Sequence, residues 1–186
     1  MIIALDAGHG YETPGKRSPD GLKEYIFNRD VAHFTKAALT AYEINILEVH
    51  DDSCDVPLND RVRKANEAKA ACYISIHANA AGDGRIWHPA SGIEVYIHPD
   101  AGTVSKRLGK MVLDALIANT KFRNRGLKTA NFHVLRKTKM PAVLWECGFM
   151  TNKAEVKLLR TDQMKQACGN AIAQAIVSIF KPNKKG

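Results

Sequence analysis

The chain has 186 residues, of which 45% are apolar and 25% are charged, and its formal net charge is +8 at pH 7. This length and composition are typical of one globular domain that buries a core without disulfide bonds, and no apolar run approaches the length of a membrane span. The positive charge indicates attraction to a polyanion, such as nucleic acid, an anionic membrane or a bacterial wall, but does not choose among them.

The first half of the chain alternates strand and helix patterns. Residues 1–6 are predicted to form the first strand rather than a secretory signal, because no charged segment precedes the apolar run. Apolar residues at helical spacing predict a helix over 24–42, and a strand follows over 44–49. Pro57 opens a second helix, and 72–77 is predicted to be a strand.

The second half continues the alternation. Its predicted elements are a half-buried strand, a helix, a short strand, a last strand and two closing helices, over 93–98, 103–118, 132–135, 142–146, 153–160 and 162–180. This order predicts a three-layer α/β domain, with an open, mostly parallel, twisted sheet of about six strands and helices on both faces. We expect residues 1–180 to form this domain and 181–186 to be a basic tail or a linker.

Histidine and carboxylate side chains stand at the ends of three predicted strands. His9 follows the first strand, His77 ends the strand at 72–77, and Glu146 ends the strand at 142–146. The carboxyl ends of the strands of an open α/β sheet line one crevice, so we expect these side chains to converge. Imidazole and carboxylate groups together indicate a hydrolytic metal site, and zinc fits them best.

A catalytic zinc site needs three ligands and a separate carboxylate that transfers protons. His9 lies between two glycines that allow a close approach, although a histidine in an ordinary glycine turn would look the same. His77 is equally compatible with a core histidine bonded to the backbone. Glu24 begins the first helix, where a carboxylate also favours the positive helix end. Glu146 ends a strongly apolar run, where burial without a partner would be costly.

These residues and their surroundings resemble the zinc-dependent N-acetylmuramoyl-L-alanine amidases of the type-3 family, which cleave bacterial peptidoglycan. The resemblance covers nearly the whole chain, in segments 6–10, 75–80, 125–136 and 141–152, together with Glu24, Arg61, Ala65 and Asn66. It implies that His9, Glu24 and His77 bind one zinc ion and that Glu146 is the catalytic acid/base.

The loop between His9 and Glu24 departs from the family pattern. After Gly10 many members carry a second Gly and an Asp, where this chain has Tyr11-Glu12-Thr13-Pro14-Gly15 followed by the basic pair Lys16-Arg17. The family pattern therefore does not predict the shape of the substrate cleft near this loop. Glu12 is a rival to Glu24 for the third ligand position.

The resemblance implies metal-assisted hydrolysis of the amide bond between N-acetylmuramic acid and L-alanine. One alternative is a zinc peptidase or carboxypeptidase acting on stem peptides, in which Arg85, Arg123 or Arg136 would pair with a terminal carboxylate. Another is a basic binding domain without catalysis, although no nucleic-acid recognition pattern is visible. His133 lies in the late family-like segment and is a candidate for substrate contact.

The expected partner is bacterial peptidoglycan, with no nucleic acid and no membrane span, and a separate wall-binding domain beyond the chain end is possible. Without a signal peptide, the protein is expected to be made in the cytoplasm and to reach the wall after release, as a phage endolysin or a sporulation autolysin. The four cysteines are scattered and are expected to be reduced. Strand alternation turns Cys147 to the face opposite Glu146.

Overall fold

A computed structural model describes residues 1–14 and 16–186, so Gly15 of the departing loop lies outside the described residues. The strands are β1 (Ile2–Ala7), β2 (Asn45–Glu48), β3 (Cys72–Asn79), β4 (Ile93–Ile97), β5 (Asn124–Thr129) and β6 (Ala142–Phe149). The helices are α1 (Glu24–Ala38), α2 (Leu58–Glu67), α3 (Thr103–Thr120), α4 (His133–Lys137), α5 (Glu155–Leu159) and α6 (Asp162–Phe180).

The described strands form one sheet in the order β2-β1-β3-β6-β4-β5. Neighbours run parallel, except that β4 runs antiparallel to β6. The central strands β1, β3 and β6 are almost wholly buried, as expected for parallel strands covered on both faces. The register of β3 and β6 places His77 directly opposite Glu146. The predicted α/β class with a mostly parallel sheet of about six strands is confirmed.

Helices cover both faces of the sheet and give three layers. On one face α1, α3 and α6 pack on the larger core, which includes Trp145 and Cys147. On the other face α2 and α4 cover a smaller cluster that includes Leu144. The thiol of Cys147 lies 3.2 Å from that of Cys168 on α6, so it points away from the face that Leu144 occupies. None of the helices in the described ranges is both long and apolar enough to cross a bilayer.

The prediction of a strand over 132–135 is wrong. This segment leads into α4, and the strand at this side of the sheet is β5, which begins inside the basic stretch. β5 is an edge strand that pairs with β4 on one side only, and it is not buried on both faces. It therefore carries a single large apolar residue, Leu127, and lacks the apolar pattern of a central strand. Its pairing with β4 shifts register around Gly126, whose φ of +93° fits a bulge. The side chains of Val134 and Leu135 pack instead against the cluster under α2.

The last residues of the chain lie against the loop that follows α1. The backbone carbonyl of Asn183 accepts a hydrogen bond from the Glu43 N–H at 2.9 Å, and the Lys185 N–H donates to the Ala41 carbonyl at 2.9 Å. The basic segment over 181–186 therefore packs on the folded domain, and the backbone of Lys184 pairs with that of Tyr42.

Candidate metal and active site

The ends of β1 and β3 and the first residue of α1 bring His9, His77 and Glu24 together. Their ligand atoms all lie within 4.8 Å of one another. The Glu24 carboxylate lies between the two rings, with Oε2 3.4 Å from His9 Nε2 and Oε1 2.9 Å from His77 Nδ1. The structure thus places the three predicted ligands within reach of a single metal ion.

Glu12, the rival third ligand, lies outside this group. Its side chain is 81% exposed and pairs with Lys23 Nζ at 3.0 Å. Glu24 is instead buried at the start of α1, where its Oε1 also accepts the Ala78 N–H at 3.3 Å. A carboxylate is common at the first residue of a helix. At this position in α1 it also places the Glu24 carboxylate beside the two histidines.

The turn after β1 packs against the ring of His77 so closely that a side chain at position 8 would displace the ring or the turn. A methyl group on Gly8 would lie 2.0 Å from His77 Cε1 and 2.2 Å from its Nε2. His9 adopts a left-handed backbone with φ +66°. The buried guanidinium of Arg61 holds this turn from below, donating to the carbonyls of Ala7 at 2.7 Å and His9 at 2.6 Å. The backbone that carries His9 is therefore constrained by the contact of Gly8 with His77 and by the hydrogen bonds from Arg61.

A buried hydrogen-bond chain orients the ring of His77. Its Nε2 lies 3.2 Å from Ser75 Oγ, whose hydroxyl donates to Asp6 Oδ2 at 2.8 Å. Asp6 also accepts bonds from Tyr73 Oη at 2.8 Å and Arg61 at 2.6 Å. Because the single proton of Ser75 goes to Asp6, its oxygen must accept from the His77 ring. His77 Nδ1, which faces Glu24, is then the nitrogen left to bind a metal, with Ser75 holding the other nitrogen as in metal-ligating histidines.

The electrostatics of His9 and Glu24 suit a metal cation, whereas His77 favours a proton that a metal would displace. Burial lowers the pKa of His9 to about 4, despite the neighbouring Glu24 charge. Burial raises the pKa of Glu24, but the hydrogen bond and charge of His77 outweigh it, so the pKa falls below its usual value. Burial lowers the pKa of His77, but the hydrogen bond to Glu24 raises it above normal overall. A neutral His9 beside an ionised Glu24 presents the forms of both side chains that coordinate metals.

Glu146, the predicted proton-transfer residue, lies beside this group in the second half of β6, which continues past the predicted end at 146 to Phe149. Its Oε2 is buried and has no hydrogen-bond partner among the described residues. Burial is the largest influence on it and raises its pKa to about 8, with the charges of Glu24 and Glu94 adding to the rise and that of His77 opposing it. A carboxyl group with a pKa near neutrality can both accept and release a proton under physiological conditions.

Glu94 is a functional residue that the sequence analysis missed, and it lies opposite Glu146 in the register of β4 and β6. Its carboxylate is buried and accepts hydrogen bonds from the side chains of Asn79, Tyr96, Arg125 and Lys128. Burial raises its pKa, but the hydrogen bonds from Arg125, Lys128 and Tyr96 outweigh burial and lower the pKa to about 2. Glu94 is thus a fixed negative charge beside Glu146. Its only signal in the sequence is a glutamate inside an otherwise apolar strand.

Two clefts open from the site and share His9, Lys16 and Glu146. The larger, of about 500 Å³, runs between the start of α2 and α4 and includes His133. The smaller, of about 300 Å³, lies beside residues 79–83. Among the described residues, Arg85, Arg123 and Arg136, the arginines predicted to pair with a terminal carboxylate, do not line either cleft.

The family model for N-acetylmuramoyl-L-alanine amidases matches residues 3–178. The chain belongs to the N-acetylmuramoyl-L-alanine amidase family. This amidase is 34% identical over 184 residues to the sporulation-specific N-acetylmuramoyl-L-alanine amidase of Bacillus subtilis, a match that covers 98% of this chain and 69% of the relative. It is also 34% identical over 190 residues to the endolysin of Bacillus phage SPP1, covering 99% and 68% of the two chains.

Solved structures agree with the assignment. The N-acetylmuramoyl-L-alanine amidase of Clostridium difficile 630 superposes with a TM-score of 0.90 at 30% identity, covering 97% of this amidase and 96% of that chain. The catalytic domain of CwlV from Bacillus (Paenibacillus) polymyxa var. colistinus gives 0.88 at 28% identity, covering 97% and 98%. The family and the fold predicted from the sequence motifs are therefore confirmed.

Proposed function

We propose that this amidase hydrolyses the amide bond between N-acetylmuramic acid and L-alanine with one zinc ion, bound by His9, Glu24 and His77, and with Glu146 as acid/base. The observation that carries the proposal is the convergence of three ligand atoms within 4.8 Å, with Glu146 on the neighbouring strand directly opposite His77. This convergence of residues from four separate parts of the fold supports a shared role for them in the reaction.

The donor set fits zinc. Two imidazoles and one carboxylate form a three-ligand set of the kind that catalytic zinc sites use, leaving a further position open for reactants. The ring of His77 is oriented by Ser75, as the outer partners of zinc-binding histidines usually are. When bound, the zinc ion would polarise the amide carbonyl and acidify the attacking water.

Glu146 moves the protons of the reaction. As water adds to the lactyl carbonyl carbon, Glu146 accepts one of its protons, and it then donates that proton to the nitrogen of L-alanine as the C–N bond breaks. In the metal-free site burial raises the pKa of Glu146 to about 8, and the positive charge of a bound zinc ion would lower it toward the range in which the carboxyl group both accepts and releases a proton. Glu94 stays ionised nearby and favours the protonated form of Glu146.

The products are an intact glycan strand and a stem peptide that begins with a free L-alanine amine. The substrate is peptidoglycan, so the site of action is the bacterial wall, in keeping with relatives named as a sporulation amidase and an endolysin.

Replacing Glu146 with glutamine tests the division of roles. Glu146→Gln keeps the shape of the side chain and removes its ability to take up a proton, so we expect kcat to fall by at least about 1000-fold while one zinc ion still binds. Release of alanine amines from purified peptidoglycan measures the rate, and zinc content after dialysis measures occupancy.

The matched control is Glu12→Gln, which alters an exposed carboxylate in the loop beside the site and should leave the rate unchanged. A Glu146→Gln protein that binds zinc and retains near-full activity would remove Glu146 from the mechanism.

A further inference from the structure

The two clefts that meet at the site differ in character. The smaller is bordered by polar or small residues, among them Asn79, Gly82 and Asp83. The larger has apolar walls on both sides, formed by Val56, Pro57 and Leu58 before and at the start of α2 and by Phe132 and Val134 at α4, with Leu144 between them. A substrate that crosses His9 and Glu146 must therefore place one arm in a polar space and the other between apolar walls.

The rim of the larger cleft holds apolar side chains in solvent. Leu58 is 52% exposed and Phe132 is 40% exposed, and both line this cleft. Exposed apolar surface in a cleft is stabilised when a ligand covers it. The walls thus indicate a ligand with apolar groups, such as the side chains of a peptide.

One polar group inside this cleft lacks a partner. His133, at the first turn of α4, lines the larger cleft, and its Nε2 is buried with no hydrogen bond among the described residues. A buried polar atom left unpaired is costly, so it is normally satisfied by water or by a ligand. A peptide supplies suitable partners at every residue, because each carries a carbonyl oxygen and an N–H group.

The branching of the substrate separates the two arms further. The scissile amide joins a muramoyl unit, whose glycan strand continues in both directions, to a peptide that leaves as a single chain. The apolar residues that line the larger cleft suit the side chains of the peptide arm, whereas the polar residues of the smaller cleft suit the hydroxyl and amide groups of the sugars.

We propose that the larger cleft binds the stem peptide beyond its L-alanine, with His133 hydrogen-bonded to a backbone or carboxylate group of that peptide, and that the smaller cleft receives the muramoyl arm. The assignment rests on the proposed function. His133 is then a peptide-recognition residue, and Leu58 and Phe132 provide apolar contact to the same arm.

Soluble substrates of different length test the assignment. Muramoyl-L-alanine, muramoyl-tripeptide and the same tripeptide on a disaccharide are compared by kcat and KM with zinc-loaded amidase. The unaltered amidase should gain kcat/KM when the peptide is lengthened. In His133→Ala this gain should fall about tenfold, through KM, while muramoyl-L-alanine changes by less than about twofold.

Leu58→Ser is the second variant, because Leu58 is exposed and its replacement does not open the core. It should also reduce the gain from peptide length. His33→Ala is the matched control, since His33 is an exposed histidine on α1 that lines neither cleft, and it should leave every substrate unchanged. Asp83→Ala, in the smaller cleft, should alter the effect of the second sugar and not that of the longer peptide.

Equal losses on short and long peptides in both cleft variants would overturn the assignment, as would losses that follow the added sugar instead. Cleavage of the muramoyl amide without any dependence on peptide length would overturn it and leave the proposed function intact. No cleavage of this amide by the unaltered amidase would overturn both.

Discussion

At the scale of single residues, the carboxyl group of Glu146 serves proton transfer, but its ionisation in a buried position destabilises the folded protein. Its buried, unpaired carboxyl group has a pKa of about 8 against the ordinary 4.5. Between these values the folded state holds a proton that the unfolded state has lost. The free energy of unfolding therefore decreases as pH rises through this window, and the loss is complete only above the folded pKa.

Glu146→Gln removes this titration. In the zinc-free protein we expect the variant to gain stability over the unaltered chain as pH rises from about 5 to about 8, by at least about 1 kcal/mol. Urea unfolding at both pH values measures the difference. The raised pKa of His77 acts in the same direction, but that residue is present in both proteins and largely cancels in the comparison. A stability difference that is independent of pH would contradict the burial-driven shift.

The ligand and acid/base candidates could be predicted at this scale because each lies near the end of an element. His9 follows β1, His77 lies two residues before the end of β3, and Glu24 starts α1. The supporting groups could not be predicted, because their partners come from strand register. Asp6 lies beside Ser75 only because β1 and β3 are neighbours in that alignment, and the sequence does not specify which strands pair.

At the scale of elements, the turn after β1 fixes the geometry of the site. Gly8→Ala would place a methyl group 2.0 Å from the ring of His77, so the ring or the turn must move. We expect zinc affinity to fall by at least about tenfold while the fold is kept, because the displaced group is a single ring at the edge of the sheet. Competition with a chromogenic chelator measures affinity, and thermal unfolding of the zinc-free protein measures stability.

Gly102→Ala is the control for this prediction, because a methyl group there meets nothing within 4 Å and the backbone φ is −69°. It should bind zinc as the unaltered protein does. Unchanged zinc affinity in Gly8→Ala would show that the ring of His77 is not held where the structure places it.

The elements around the larger cleft also show where sequence patterns fail. The segment Phe132–Leu135 was predicted as a strand because it is short and apolar, yet it opens α4, and the edge strand β5 has almost no apolar pattern. Edge strands depend on backbone pairing with a neighbour, which leaves little trace in composition. The error affects function directly, because α4 is the element that carries His133 into the cleft.

At the scale of the whole molecule, the net charge of +8 favours binding to an anionic wall. Glu146→Gln, which should bind without cleaving, allows this to be measured by sedimentation with insoluble cell walls. We expect the bound fraction to fall as salt rises from about 0.05 M to about 0.5 M, because the Debye length shortens about threefold. Binding that does not change with salt would assign wall affinity to the clefts rather than to the overall charge.

The topology of the whole sheet explains why the site lies where the sequence predicted it. β1, β3 and β6 are adjacent and parallel, so their carboxyl ends meet at one edge and carry His9, His77 and Glu146. Alternating strand and helix patterns were sufficient to predict this class of sheet. The antiparallel entry of β4, which brings Glu94 against Glu146, has no counterpart in those patterns.

The most direct test of zinc-dependent amidase activity is product analysis on purified peptidoglycan, before and after chelation and with zinc restored. We predict new N-terminal alanine without new reducing sugar ends, loss of this product on chelation, and its return with zinc. New amines on a different residue, or alanine release that chelation does not affect, would contradict the account.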